Sequence, residues 1–267
     1  MSQEKLKIAV VSHDITWSDK EENIITIAEL LNRVDKNTDV VILPELCCSG
    51  FISTIEHLSD IAETNNDSII LNATRWAQFF GFAICGTFIA KENERYYNRA
   101  FFVEPSGDIS YYNKRHLYSS NLEKRCFSRG LSKSPIIRFR GWNITMQICY
   151  DINFPVWCRN SGNKIDLLLV PANCPKEREF QWKHLLIARA IENQYYVVGA
   201  NRSGIDDEGD YNNQSYIYDY KGKNIACQSS KSDKILYAEL QKTKLETERK
   251  SIDLNQDADS FELMSNR

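Results

Sequence analysis

The hydrophobic pattern along this chain switches repeatedly between a period of about two and a period near 3.6 residues. Three nearly continuous apolar runs, Lys5 to Val11, Asp39 to Leu43 and Leu167 to Pro171, read as strands buried on both faces of a sheet. Between the first two, Ser18 and Glu21 form a capping-box signature ahead of Ile24, Ile27, Ala28 and Leu31, which predicts an amphipathic helix. A second helix is expected from about Ser68 to Phe80, closed by Gly81. From Phe82 to Tyr112 the pattern changes to short strands: Phe82 to Thr87, Tyr96 to Val103, and Ile109 to Tyr112 after a turn over Pro105 to Asp108. Pro135 to Phe139 and the alternating Ile144, Met146 and Ile148 continue in strands.

Farther on, a helix from about Arg178 to Asn193 carries two apolar stripes. Trp182, Leu185, Leu186 and Ala190 form one, and Ile187, Ala188 and Ile191 the other, so the helix should be covered on two faces. Tyr195 to Ala200 is a strand, Gln214 to Tyr218 and Ile225 to Gln228 are expected to pair as a hairpin, and Ile235 to Leu240 is the last strand. The charged end from Lys242 to Arg267 is expected to fray or to pack against another subunit. Roughly twelve strands with four or five helices, and no repeat or linker, predict one α/β domain over residues 1–267, with a core over about 5–240 and an extension over 241–267. The preferred layering is an α-β-β-α sandwich.

Composition narrows the function. A net charge of −3 without a basic cluster argues against nucleic acid as a partner. No apolar run reaches the ~18 residues of a membrane span, and the opening apolar run is too short for a secretion signal. A cytoplasmic location is therefore expected, with the eight cysteines as free thiols. Cys47 and Cys48 are adjacent and lack a Cys-x-x-Cys partner, and only four histidines occur, so no structural zinc site is expected.

The stretch Thr145 to Pro155 concentrates the chemistry. Cys149 ends an alternating strand, polar residues follow, and Pro155 suits the first turn of a helix. A cysteine at such an elbow presents its sulfur beside backbone N–H groups that can bind an anion. On this stretch alone the cysteine reads first as a small buried hydrophobe, and it is the rest of the chain that changes this. Two other apolar strands also end in charged residues, Glu45 and Lys114. A carboxylate can serve a thiol as base, and an ammonium can hold a developing oxyanion.

These residues resemble the three catalytic segments of the nitrilase, or carbon–nitrogen hydrolase, superfamily. They are Pro44-Glu45 with Ser49-Gly50-Phe51, Tyr112 to Leu117, and Cys149-Tyr150-Asp151. Ala172-Asn173, Trp182 to Leu186, Ala188 to Gln194, Asn201 to Gly204 and Asp257 to Phe261 resemble the omega-amidase-like branch, so the likeness runs from about Lys5 to Phe261. It implies a four-layer α-β-β-α fold and a Glu45-Lys114-Cys149 triad, with Cys149 as nucleophile, Glu45 as base, and Lys114 with the Tyr150 backbone N–H as oxyanion site. Glu123 matches a second glutamate of such sites; read alone, beside Lys124 and Arg125, it is equally a charged loop residue. Phe51, Tyr118, Tyr150, Asn153, Asn173 and Cys174 are the expected substrate contacts. Two of them depart from the branch: Cys174 stands where tryptophan is frequent, and Asn153 where arginine is usual. Asn153 either weakens the reading of a substrate carboxylate or only braces the elbow. His116 is expected to be a structural hydrogen-bonding residue.

An unperturbed carboxylate at about 4.3 facing a thiol at about 8.5 leaves a proton transfer uphill by about 6 kcal/mol, which the site must narrow. The expected activity is hydrolysis of a small, carboxylated omega-amide through a cysteine thioester, releasing ammonia. The alternatives are the same chemistry on an N-carbamoyl compound, a nitrile or another amide, and a catalytically silent scaffold. No cofactor and no metal are implied, since Lys114 supplies the positive charge. A homodimer or higher homo-oligomer is expected.

Overall fold

The computed structural model describes residues 4–50, 58–118, 123–206 and 209–263. In chain order, β1 (Lys5–Val11) leads to α1 (Lys20–Leu31), β2 (Val40–Ile42), the short α2 (Leu58–Ile61) and α3 (Ser68–Phe80). The meander β3 (Ala83–Glu92), β4 (Arg95–Val103) and β5 (Ile109–Asn113) follows, then the one-turn α4 (Glu123–Cys126). Next come β6 (Ile137–Phe139), β7 (Trp142–Met146), β8 (Leu167–Pro171), α5 (Glu179–Asn193) and β9 (Tyr196–Ala200). A small ribbon, β10 (Ser203–Asp206) and β11 (Gly209–Asn212), precedes β12 (Tyr216–Tyr218), β13 (Cys227–Gln228), β14 (Ile235–Gln241) and α6 (Lys242–Ser251).

One sheet has the order β13-β14-β1-β2-β3-β4-β5, and the second β12-β9-β8-β7-β6. The two-residue period of a strand decides what each face meets. On β1, Leu6, Ile8 and Val10 point into an interior shared with Ile144 and Met146 of β7, Leu167 and Leu169 of β8, and Val198 of β9. The intervening Ala9 and Val11 face outward onto Ile27 and Leu31 of α1 and Ala73 and Ala77 of α3. On the far side, Leu168, Val170 and Val197 pack against Trp182, Leu186 and Ala190 of α5. Helices, sheet, sheet and helix thus form four layers around one interior, the expected α-β-β-α sandwich.

The helical signals hold with one correction. Gly81 closes α3 with φ 78°, a left-handed position where glycine carries no Cβ strain. Ser18, in contrast, does not cap α1. Its φ of 59° is incompatible with the extended backbone a cap requires, because its N–H turns to the Ser49 carbonyl at 3.0 Å. Asp19 takes the role and accepts from the Glu22 N–H at 3.0 Å.

Three further expectations are revised. The elbow helix begins at Cys149 itself, as a 3₁₀ helix over Cys149–Asn153; Pro155 opens only a single turn, closed by Cys158 N–H to the Pro155 carbonyl at 3.1 Å. The two arms either side of Asp219 to Gly222 pair only beside the turn, through Asp219 N–H to the Lys223 carbonyl at 2.9 Å and Ile225 N–H to the Ile217 carbonyl at 2.8 Å. Beyond these bonds the arms part: β12 pairs with β9 in one sheet and β13 with β14 in the other, so the expected hairpin is a crossover between layers. The charged end from Lys242 begins with α6, which packs on its own chain. Leu245 joins the central core, and Arg249 donates to the Gln194 carbonyl at 2.9 Å and to Asp166 at 3.1 Å.

Candidate active site

The parallel strands β2, β7 and β8 end on one side of the sandwich, and a cavity of about 290 Å³ opens there. Glu45, Lys114, Glu123 and Cys149 all line it, together with Tyr118, Tyr150, Asn153, Asn173 and Cys174. Phe51 lies outside the described residues. The structure therefore brings together nine of the ten residues singled out from sequence.

Glu45 follows β2 after Pro44 and is buried. Its Oε1 accepts from Lys114 Nζ and from Asn98 Nδ2, both at 2.7 Å, and its Oε2 accepts from the Asn173 backbone N–H at 3.0 Å. Lys114 follows β5, held by its own N–H on the Asn98 carbonyl at 2.9 Å and by Gly130 N–H on its carbonyl at 2.7 Å. A Cβ on Gly130 would sit 2.0 Å from the Asn113 carbonyl oxygen, so only glycine lets the 128–130 segment pass this close. Lys114 Nζ also donates to Glu123 Oε1 at 2.7 Å. Glu123 is the first residue of α4, fully buried, and its second oxygen accepts from the Tyr118 backbone N–H. Glu123 is thus part of the buried centre and not a solvated loop charge.

Burial disfavours the Lys114 charge, but Glu123 and Glu45 outweigh it and hold the ammonium above the ordinary lysine range. Burial raises the Glu123 carboxyl despite the opposing Lys114, with the Glu45 charge adding to the rise. Two carboxylates on one ammonium leave the trio with excess negative charge, which favours retaining a proton among them.

Cys149 sits at the elbow with φ 41°, a conformation a non-glycine residue adopts at some cost in strain. Asp151 maintains it. One Asp151 oxygen accepts from the Ile148 N–H at 3.2 Å and the Tyr112 hydroxyl at 2.8 Å. The other meets the His116 N–H at 2.9 Å and ring Nδ1 at 2.8 Å. This buried carboxylate therefore ties the Cys149 elbow to the strand and loop that carry Lys114. Those bonds to Asp151 are the structural hydrogen-bonding role expected of His116, which also stacks on Phe154 with ring centroids 3.7 Å apart. The Cys149 thiol is raised well above its ordinary value, first by burial and then by the Glu45 charge; Lys114 and the Asn173 N–H act against the rise. At neutral pH the resting sulfur is a thiol.

The outer wall differs in character. Asn153 lines the cavity, but its Nδ2 donates to the Tyr150 carbonyl at 3.0 Å, which braces the elbow. Asn173 has both side-chain polar atoms buried and without a partner among the described residues. The Cys174 thiol is pushed up to about 12 by burial. Tyr118 and Tyr150 meet edge to face at 5.1 Å.

Three residues of this neighbourhood went unread in the sequence. Asn98 on β4 orients Glu45, Asp151 orients the elbow, and Arg178 lines the cavity. A signal existed for Asn98, a polar residue in register with the inward Ala100 and Phe102 of the same strand. Among the described residues no cluster of three or more His, Cys, Asp or Glu is arranged to hold a metal ion. No described helix is long and apolar enough to cross a membrane.

Comparison with known proteins places the chain in a family. The carbon–nitrogen hydrolase family profile matches residues 7–250. The chain is 36% identical over 259 residues to the omega-amidase YafV of Escherichia coli K12, covering 97% of this chain and 98% of that one. It is 30% identical over 239 residues to a 2-oxoglutaramate amidase of Bacillus subtilis, covering 88% and 91%. A CN-hydrolase superfamily protein from Xanthomonas campestris, solved with an arsenic adduct in its active site, superposes with a TM-score of 0.91 at 30% identity, covering 98% of this chain and all of that one. With the fold and the family profile in agreement over nearly its whole length, this chain belongs to the carbon–nitrogen hydrolase family, where its likeness is to the omega-amidases.

Proposed function

We propose that this protein is a cysteine amidase that hydrolyses the terminal amide of a small carboxylated compound, of the omega-amide class, through a thioester. The observation that carries this reading is the placement of Lys114 Nζ at 2.7 Å from both Glu45 and Glu123, in the cavity that Cys149 also lines. As the Cys149 sulfur attacks the amide carbon, its proton passes to Glu45. The carbonyl oxygen becomes an oxyanion beside Lys114 Nζ and the Tyr150 backbone N–H. The C–N bond then breaks, and Glu45 returns the proton to the departing nitrogen, which leaves as ammonia. Water, deprotonated by Glu45, adds to the thioester; collapse expels the sulfur, which recovers its proton, and frees the acid.

Because the thiol is raised by burial, a standing thiolate–carboxylic acid pair is disfavoured, and proton loss accompanies attack. Glu123 holds Lys114 in place between the two carboxylates. Asn173, with one donor group and one acceptor unpartnered, complements a primary amide, which presents the same two functions. The relatives named above as omega-amidase and 2-oxoglutaramate amidase support a carboxylated amide as the substrate class.

The test is ammonia release from a panel containing glutaramate, neutral amides, nitriles and N-carbamoyl compounds, with intact-protein mass spectrometry after rapid acid quench. Ammonia from glutaramate and an acyl adduct on the peptide carrying Cys149 are expected. Turnover without any adduct at Cys149 would overturn the thioester, and a preference for nitriles or carbamoyl compounds would overturn the amide. Self-association is part of the same proposal: Phe180 and Ile191 leave apolar surface on α5 exposed. A mass near 30.9 kDa by light scattering would end it.

A further inference from the structure

We infer that Arg178 is the residue that reads the distal carboxylate of the substrate, in place of the arginine that position 153 lacks. The inference rests on the amidase reading and deepens it. A carboxylated amide bound with its carbonyl at Cys149 needs a cation elsewhere on the cavity wall. Only two cationic side chains line the cavity among the described residues, Lys114 and Arg178. Lys114 is buried and already bonded to two carboxylates. Asn153 carries no charge and has turned an N–H to the Tyr150 carbonyl.

Arg178 is placed differently. It is half-buried at the start of α5, and its guanidinium carbon lies 4.6 Å from the ring centre of Tyr118 and 5.7 Å from that of Tyr150. Aromatic faces fix the guanidinium plane by cation–π attraction without occupying its N–H groups. Among the described residues no carboxylate pairs with it. The nearest acidic neighbour along α5, Glu179, is engaged by the Tyr216 hydroxyl at 2.8 Å and by Gln214 Nε2 at 3.2 Å. An arginine oriented on aromatic rings, with its donor edge unused among the described residues at the wall of a small cavity, is suited to bidentate recognition of a carboxylate. Tyr118 and Tyr150 thereby act as positioning residues, and both come from segments that also build the catalytic centre: Tyr150 follows Cys149, and the Tyr118 N–H holds Glu123.

The experiment compares kcat/KM for glutaramate with that for pentanamide, its neutral counterpart of the same chain length, in the unaltered enzyme, Arg178→Met and Arg178→Lys. Arg178→Met should lower the value for glutaramate ten- to a hundredfold, mostly through KM, and change that for pentanamide less than threefold. Arg178→Lys should recover part of the loss, since it keeps the charge but not the fork. An equal loss on both substrates would mean that Arg178 merely supports the wall, and an unchanged glutaramate preference in Arg178→Met would mean that another group reads the carboxylate; either overturns the inference alone. An unaltered enzyme that releases ammonia from neither amide overturns the amidase reading beneath it.

Discussion

The floor of the cavity and its outer wall are built on opposite principles. At the floor, Glu45, Lys114 and Glu123 are buried, and each is tied to the others or to backbone N–H groups. Removing Lys114 leaves two buried carboxylates facing each other with nothing between them, which costs about 3–5 kcal/mol for a broken buried pair, and removing either carboxylate strands the backbone N–H it accepts from. On the wall, Asn173 and Arg178 keep polar groups without a protein partner among the described residues. The closed network fixes geometry before substrate arrives, so little reorganisation is needed as charge develops. The open groups are satisfied only when something enters. Catalysis and selection should therefore respond differently to mutation: floor changes should damage rate and stability together, wall changes binding alone.

The largest effect should come from Cys149, the proposed nucleophile. Cys149→Ala is expected to abolish turnover and leave the folded spectrum intact, whereas Cys227→Ala, on the surface, should keep most of the activity. Residual turnover within tenfold of the unaltered enzyme would break the covalent mechanism.

Glu45→Gln and Lys114→Met should each reduce kcat at least a hundredfold, and the double variant should lose far less than the product of the two. Multiplicative losses would show that the floor is not one unit. Lys114→Met also sharpens the contrast through pH. Glu123 is already raised by burial, and removing the ammonium raises it further. A carboxyl whose folded value lies above its unfolded one favours the folded state below the ordinary carboxylate range and loses that contribution as pH rises through the folded value. The melting temperature of Lys114→Met should thus fall away from that of the parent as pH rises above the ordinary carboxylate range of about 4.3. A gap constant with pH would mean that the two carboxylates do not face each other.

Smaller changes belong to the wall. Asn173→Ala should raise KM for primary amides about tenfold with kcat nearly unchanged, and should not lower the melting temperature, because it removes polar atoms that had no protein partner. Asn153→Ala should do the reverse: it loses the hydrogen bond to the Tyr150 carbonyl, lowers the melting temperature by about 2 °C, and leaves the choice between charged and neutral amides unchanged. A changed preference would move Asn153 from brace to reader.

What was legible in the sequence follows the same division. Glu45, Lys114 and Cys149 each terminate an apolar strand, and a strand end in a layered sheet is a predictable place. Gly81 and the α3 boundaries were equally readable, because a left-handed residue after an amphipathic run has a local cause. The two arms around Asp219 to Gly222 misled for a physical reason. Local pattern specifies a turn and two extended segments, but nothing within them says that β12 and β13 join different sheets. Arg178 was silent because an arginine at a helix start reads as a solvated residue until Tyr118, from a distant loop, and Tyr150 are brought beneath it. Asp151 was visible only as a letter beside Cys149; its four contacts depend on β5 and the loop after it standing against the elbow.

The pairing of β1 bears on how the molecule is assembled. β1 lies between β2 and β14, with Lys5 opposite Gln241 and Val11 opposite Ile235. One neighbour follows it closely in sequence, while the other is nearly the whole chain away. Contacts of such long range slow folding, since an extensive loop must close before they form. A chain lacking Ile235 to Gln241 would hold β1 with a bare hydrogen-bonding edge, the kind of surface that recruits another strand. Glu45 follows β2, which is registered against that same β1, so the Glu45 side of the site gains its full support only once the last strand has docked.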